Sequence, residues 1–337
     1  MKHSIATTIL LLISITLSAQ SERVKELVNE GISLHDQEKY DEAIAKYKQA
    51  LDIDKKSTLA NYELGYSYFA TGQYNKAIKH ANIVLKQGGP NQLESIILLG
   101  NSLDLTGKPS KAIQAYEKGL KDFPESNLLN YNFALTCFNE GYINKAEKAC
   151  IKAIESKLNH GSSHILLSAI MRSKGERVKS VLPLYYFLML EPDSKRAQIN
   201  YNNLLQQLGQ GIEKKSNKNI SVQIPGSANS SKEFGAVEMM ISLAAVKGYT
   251  EDDKHKSKME LFVEMNDKIF RILGELKKDN KGIWWDLYAS KLYDLILTNN
   301  NEAFSYYISQ STNDESVIKW ISENSYKMQS LMEWIKK

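Results

Sequence analysis

Between Val24 and Pro192, small and apolar residues recur at helical spacing in paired blocks, and the pairing returns about every 34 residues. The stretch EKYDEAI (38–44) comes back as GQYNKAI (72–78), aligning Tyr40 with Tyr74, Ala43 with Ala77 and Ile44 with Ile78. With Gly31 as reference, the equivalent places hold Gly65, Gly100, Ala134 and Ser168. Twelve residues after each stand Ala43, Ala77, Ala112, Ala146 and Ser180. Gly72, Gly107, Gly141 and Gly175 keep the same spacing and mark turns. Small side chains at two fixed places let two antiparallel helices approach closely. One such hairpin cannot bury its apolar face alone, so the pattern predicts hairpins stacked side by side.

This arrangement resembles the tetratricopeptide repeat, a helix–turn–helix unit with small residues at its eighth and twentieth positions. The resemblance spans about half of the chain and implies an all-α fold, a TPR-like α-solenoid of about five repeats with a capping helix over residues 24–208. The fifth block departs from the pattern. Ser168 and Ser180 fill both small positions, and Pro183 inside its second helix predicts a kink. SKRAQINYNNLLQQL (194–208) predicts the cap, with Arg196, Asn200, Asn203 and Gln207 as its polar outer side. Residues 209–232, poor in large apolar side chains and rich in Gly, Ser, Asn and Lys, predict a flexible linker.

From 233 to 337 helical periodicity resumes without the repeat and predicts a second, helical domain. Phe262, Met265, Ile269, Ile272 and Leu276 share one face. Trp284, Leu287, Tyr288, Leu292 and Leu295 share another, and Ile318, Ile321, Met328, Met332 and Ile335 a third. Thr250 ahead of Glu251, Asp252 and Asp253 predicts a helix start.

The N-terminus changes the picture of where the chain works. Lys2 precedes an apolar run of 13 residues, Ile5 to Leu17, followed by Ser18 and Ala19. That predicts a secretory signal peptide over residues 1–19, since a spanning helix needs about 20 apolar residues. A retained anchor is the alternative. Gln20 stands where a lipoprotein would carry Cys. The expectation is an exported chain of the bacterial periplasm or cell envelope, or a secreted one, without stable membrane insertion. The 43 basic and 39 acidic side chains leave a net charge of +4, which gives no focused field for nucleic acid.

Candidate chemistry is sparse. TGKPSKAI (106–113) lacks both the earlier Gly and the Ser or Thr of a phosphate-binding loop, and reads as a turn at Gly107 with Pro109 opening a helix. His160 and His164 have metal-ligand spacing, but His160 falls in the loop before the helix and no Cys or carboxylate joins them, so a structural pair is expected. Cys137 and Cys150 are expected as buried thiols out of register for a disulfide. In GIWWDLY, Trp284 is expected buried and Trp285 partly exposed, as core rather than as a ligand platform. Glu94 and Asp104 face one groove, but a solenoid offers no closed pocket to raise a carboxyl pKa. No catalytic, metal or cofactor site is expected, and the chain reads as a non-catalytic binding or scaffolding protein. An enzyme or small-ligand site in residues 233–337, with the repeats as recruiting arm, is the alternative.

The resemblance also implies a binding wall, lined by the first helix of each repeat. It assigns there Val28, Ile32 and His35, then Tyr62, Tyr66 and Phe69, then Ile97, Asn101 and Asp104. Tyr131, Leu135 and Phe138 follow, and Ile165, Ala169 and Arg172 close the series. Such a wall binds a protein or peptide partner as an extended segment or helix. At the five places where one subclass grips a chaperone's C-terminal carboxylate, this chain has Val28, Ile32, Glu63, Glu94 and Leu98, which disfavours that ligand. The linker's reach also permits the C-terminal helices to cover the wall.

Overall fold

The computed structural model describes residues 20–214, 220–222, 232–247, 255–278 and 280–336. The expected signal peptide (1–19) and the expected helix start at Thr250 lie outside these residues. Helices follow one another along the chain, and the all-α solenoid reading holds. The sole strands among the described residues are β1 (Ile212–Lys214) and β2 (Ile220–Val222), an antiparallel ladder with Ile212 opposite Val222. They stand inside the segment expected to be a featureless linker. The chain divides into two compact units, Met1–Ser156 and Lys157–Lys337.

The first unit contains four hairpins: α1 (20–36) with α2 (Tyr40–Ile53), α3 (Thr58–Ala70) with α4 (Tyr74–Gln87), α5 (Gln92–Leu105) with α6 (Pro109–Asp122), and α7 (Asn127–Asn139) with α8 (Ile143–Ser156). Local chemistry sets the ends. Ser57 and Ser126 cap α3 and α7 by accepting from the N–H of Ala60 and Leu129, and Pro109 opens α6 as expected. The turn glycines 72, 107 and 141 are left-handed, with φ of 72°, 70° and 77°. Packing is set by the small positions. A Cβ on Gly31 would lie 2.4 Å from the Tyr47 ring, and one on Gly100 would lie 2.2 Å from the Tyr116 ring. Both tyrosines are fully buried, each ring occupying the volume its glycine leaves open. The first helices of successive repeats lie side by side, α3 against α5 and α5 against α7. Cys137 and Cys150 are buried and outside any disulfide. Burial pushes the Cys137 thiol up to about 11 and Cys150 also upward, which leaves both unreactive.

The second unit begins with the fifth hairpin, α9 (Gly161–Ser173) and α10 (Arg177–Leu190), and the cap α11 (Ala197–Leu208). It continues through α12 (Gly235–Lys247), α13 (Lys258–Lys277), a π-helical turn (Trp284–Ala289) running into α14 (Ser290–Leu297), then α15 (Asn301–Tyr307), α16 (Glu315–Glu323) and α17 (Ser325–Ile335). Pro183 does not end α10, which runs through it. That helix is buried on nearly every side because the C-terminal helices pack against it. Tyr185 Oη donates to Asn266 Oδ1 at 2.5 Å, and its ring meets Phe270 edge-on at 5.2 Å. The Arg177 guanidinium is buried against Glu238 (2.7 Å) and also donates to Ser242 Oγ and the Gln210 carbonyl. Glu238 in return accepts the N–H of Val178 at the start of α10.

Several expected faces are turned. Asn200 and Gln207 of the cap point inward, Gln207 accepting from Ser180 Oγ, while Ile199 is exposed. The reason is that α11 does not end the unit: Tyr201 packs on Phe262 and accepts from Ser309 Oγ. Trp285 is buried and Trp284 only half-buried, the reverse of expectation, because the π turn adds a residue and rotates the face. Trp285 stacks flat on Phe234 at 4.5 Å and donates to Glu233. The buried stripe of α13 is Phe262, Asn266, Ile269, Phe270 and Leu273, not the set that includes Met265, Ile272 and Leu276. Asn266 fits there because Tyr185 and Ser305 satisfy its amide. In the last two helices Val317, Leu331 and Trp334 are buried, whereas Ile318 is exposed. A capping box at Ser257 and Glu260 starts α13.

Candidate functional site

The wall of the first unit is built from α1, α3, α5 and α7, because positions three or four apart on each first helix share a face. Tyr62, Tyr66 and Phe69 follow one another on α3, with Tyr66 42% exposed and the other two half-buried. The His35 and Tyr66 rings stack at 4.9 Å, 17° from parallel, and Tyr66 and Tyr62 stack at 6.0 Å and 9°. Phe69 leans on Tyr74 at 5.4 Å. Tyr131, Leu135 and Phe138 are half-buried on α7. Arg172 is exposed on α9 and belongs to the second unit.

The polar members of the wall are committed to each other. Tyr116 Oη donates to Asn101 Oδ1 at 2.6 Å, and Thr136 Oγ1 donates to Asp104 Oδ2 at 2.8 Å. His35 Nδ1 lies 2.7 Å from Ser67 Oγ. The His35–Ser67 and Asp104–Thr136 pairs join equivalent places of neighbouring repeats, 32 residues apart, and tie first helix to first helix. Between repeats two and three the equivalent pair is Phe69 with Ser102, and the Ser102 hydroxyl is buried without a partner. Asn101 and Asp104 therefore brace the wall as well as line it. The constant place of Ser67, Ser102 and Thr136 within the period was the signal available in the sequence.

Charge on the wall is negative. Burial, reinforced by Asp36, pushes the Glu63 carboxyl up to about 7. Burial raises the Tyr62 hydroxyl as well, with Glu63 and Glu94 adding to it. Sequence reasoning placed Glu63 and Glu94 at ligand-gripping positions but missed Asp36, which lies beside His35 at the end of α1.

His160 and His164 serve structure. His160 precedes α9 with Nδ1 2.7 Å from Ser163 Oγ, and buried His164 is held between the Leu158 carbonyl and Tyr288 Oη. Among the described residues no group of three or more His, Cys, Asp or Glu is placed to hold a metal.

Family models of the tetratricopeptide repeat match residues 31–72, 59–87 and 129–160, on the same hairpins. Over these residues the chain carries tetratricopeptide repeats. Its repeat region is similar in structure to several solved TPR chains. YrrB, described as a TPR protein with an unusual peptide-binding site, is 19% identical, with 56% of this chain and 96% of that one covered at a TM-score of 0.44. A thermophilic TPR protein of Thermus thermophilus is 17% identical (54% and 98% covered, TM-score 0.46). PilF of Pseudomonas aeruginosa is 16% identical (57% and 91%, TM-score 0.48). No curated protein matches the chain. The tetratricopeptide fold supports a protein-interaction or scaffold role and protein partners. Among the described residues no helix is long and apolar enough to cross a membrane.

Proposed function

We propose that the chain is a non-catalytic scaffolding protein of the bacterial cell envelope that holds an extended peptide or helix of a partner protein along its repeat wall. The observation that carries this reading is the stacked, part-exposed series His35, Tyr66 and Tyr62, continued by Phe69 on α3. Aromatic side chains offer large contact area with few torsions to order, and tyrosine adds a hydroxyl that orients the ligand. Export rests on Lys2, the apolar run Ile5–Leu17 and Ala19. A cavity of about 310 Å³ in the second unit is lined largely by apolar groups such as Leu205, Phe262, Met265 and Val317. Its titratable groups are Tyr201, Lys258 and Asp314, with no nucleophile–base pair among them, so the enzyme alternative gains no support there. The test is capture from an envelope extract on the chain from Gln20 onward, beside a Tyr62→Ala/Tyr66→Ala/Phe69→Ala variant. The variant is expected to stay helical and lose the main captured protein; identical captures would count against the wall.

A further inference from the structure

In the second unit, α13, the turn that follows it and α14 surround an open cleft of about 650 Å³. Lys277, Lys278, Lys281 and Lys291 line it, against the two carboxylates Asp286 and Asp294. Both carboxylates are already engaged. Asp286 Oδ2 accepts the N–H of Gly282 at 2.8 Å, and Asp294 Oδ2 accepts from Trp334 Nε1 at 2.5 Å. Among the described residues, none of the four ammonium groups lies within 4.0 Å of a carboxylate oxygen. Elsewhere in this unit Arg177, Lys256 and Lys327 each meet one at 2.5–2.7 Å. Lys277 and Lys278 suit the C-terminal end of α13, whereas Lys281 stands just before the next helical segment, whose dipole disfavours a cation there. A second observation is independent of these charges. Ser290 lines the same cleft, and its hydroxyl is buried without a hydrogen-bond partner. Such a donor is costly until an acceptor reaches it. The walls are set before any ligand arrives: the Tyr293 ring lies 2.1 Å from where a Cβ on Gly274 would fall, and the Lys291 ammonium is held over the Trp334 ring at 4.1 Å. Burial lowers the Lys291 pKa, with Asp294 opposing it, so an anion in the cleft would offset that burial.

We propose that this cleft binds a phosphate-bearing ligand. Its phosphate oxygens accept from Lys281, Lys291 and the Ser290 hydroxyl, with Lys277 and Lys278 adding to the field. An ammonium is a compact charge with three donors, which suits an oxyanion whose charge is spread over several oxygens. Tyr293 and Leu297, the latter 63% exposed, line the same cleft and offer a surface to the organic part of the ligand. The site lies within the second unit and does not depend on the repeat wall.

The test titrates the chain from Gln20 to Lys337 calorimetrically with inorganic pyrophosphate and with citrate, anions of similar charge. The same chain is sedimented with phosphatidylcholine vesicles that contain or lack phosphatidylglycerol. The wild type is compared with Lys281→Gln, Ser290→Ala and Lys319→Gln, the last an exposed lysine of α16 outside the cleft. Circular dichroism shows that each variant is folded. Lys281→Gln is expected to bind the phosphate probe about tenfold more weakly, as loss of one charge-assisted contact gives. Ser290→Ala should weaken binding several-fold with no change in charge, and Lys319→Gln should bind like the wild type. Pyrophosphate binding with this pattern supports a soluble phosphate ligand; the same pattern with phosphatidylglycerol vesicles alone supports a lipid headgroup. No binding of either probe, equal losses in Lys281→Gln and Lys319→Gln, or undiminished binding in Ser290→Ala would overturn the proposal. Citrate held as tightly as pyrophosphate would overturn the assignment to phosphate.

Discussion

Tyr47 and Tyr116 occupy the same place in repeats one and three, each pressed on a glycine, yet their hydroxyls meet different fates. Tyr116 donates to Asn101 at 2.6 Å, whereas Ile32 stands at the matching place near Tyr47, whose hydroxyl is unpartnered. Removing a bonded buried hydroxyl leaves its acceptor unsatisfied, while removing an orphan relieves a desolvated dipole. Tyr116→Phe is therefore expected to lower stability by about 1 kcal/mol in urea denaturation, and Tyr47→Phe to leave it unchanged or raise it. Equal losses in the two variants would show that Tyr47 has a partner after all. The glycines belong to the same argument. A Cβ on Gly100 would fall 2.2 Å from the buried Tyr116 ring, so Gly100→Ala should cost roughly 1–3 kcal/mol by overpacking. Both glycine–tyrosine pairs could be seen in the sequence as a small residue set against a large one at fixed spacing. The orphan hydroxyl could be seen only once Ile32 and Asn101 were known to face the rings.

Elements were legible where one periodicity governed and obscure where two neighbours competed. The repeat helices declare themselves through Ala43, Ala77, Ala112 and Ala146 because each hairpin meets the same surroundings. In the second unit the surroundings differ at every helix. A π turn rotates Trp285 inward, and a hydrogen-bonded asparagine takes a core place in α13. One signal there was available but unread: the run VLPLYYFLML in α10 is apolar all round, which a helix covered on one face alone does not need. What covers it is held by Arg177 and Glu238. Burial raises the Glu238 carboxyl while Arg177 pulls it back down, so the pair is stable only together. Glu238→Ala strands a guanidinium that is 1% exposed and should cost roughly 3–5 kcal/mol. All four tryptophans lie between Trp284 and Trp334, so the urea midpoint followed by tryptophan fluorescence reports this unit alone. A shift no larger than that of a surface variant such as Lys319→Ala would show that the pair contributes little. A simpler change belongs to the turns: Glu38 has φ 61° where the later repeats have glycine, and Glu38→Gly should gain up to about 1 kcal/mol by relieving left-handed strain.

For the whole molecule, the compact division at Ser156 means that the fifth hairpin shares its core with the C-terminal helices, and His164 is where pH acts on that shared core. The Leu158 carbonyl can only accept, so Nε2 carries the hydrogen and Nδ1 accepts from Tyr288 Oη, both at 2.8 Å. Burial is the main cause that pushes the imidazole down to about 4, against about 6.5 in an unfolded chain. The folded unit thus refuses a proton that the unfolded chain takes up. Stability from this group is whole above pH ~6.5 and falls as the pH drops toward ~4, by an amount on the order of 3 kcal/mol at full extent. Half-buried His160 shifts in the same direction, so the decisive quantity is the difference between the wild type and His164→Gln. Followed by tryptophan fluorescence in urea, the wild-type midpoint should decline between pH 6.5 and 4.5 more steeply than that of the variant, which starts lower at pH 7 because it loses packing against Tyr186. Parallel declines would mean that His164 takes up its proton without opening the core. The join between the fifth repeat and the C-terminal helices would then be looser than the buried Tyr288 contact requires.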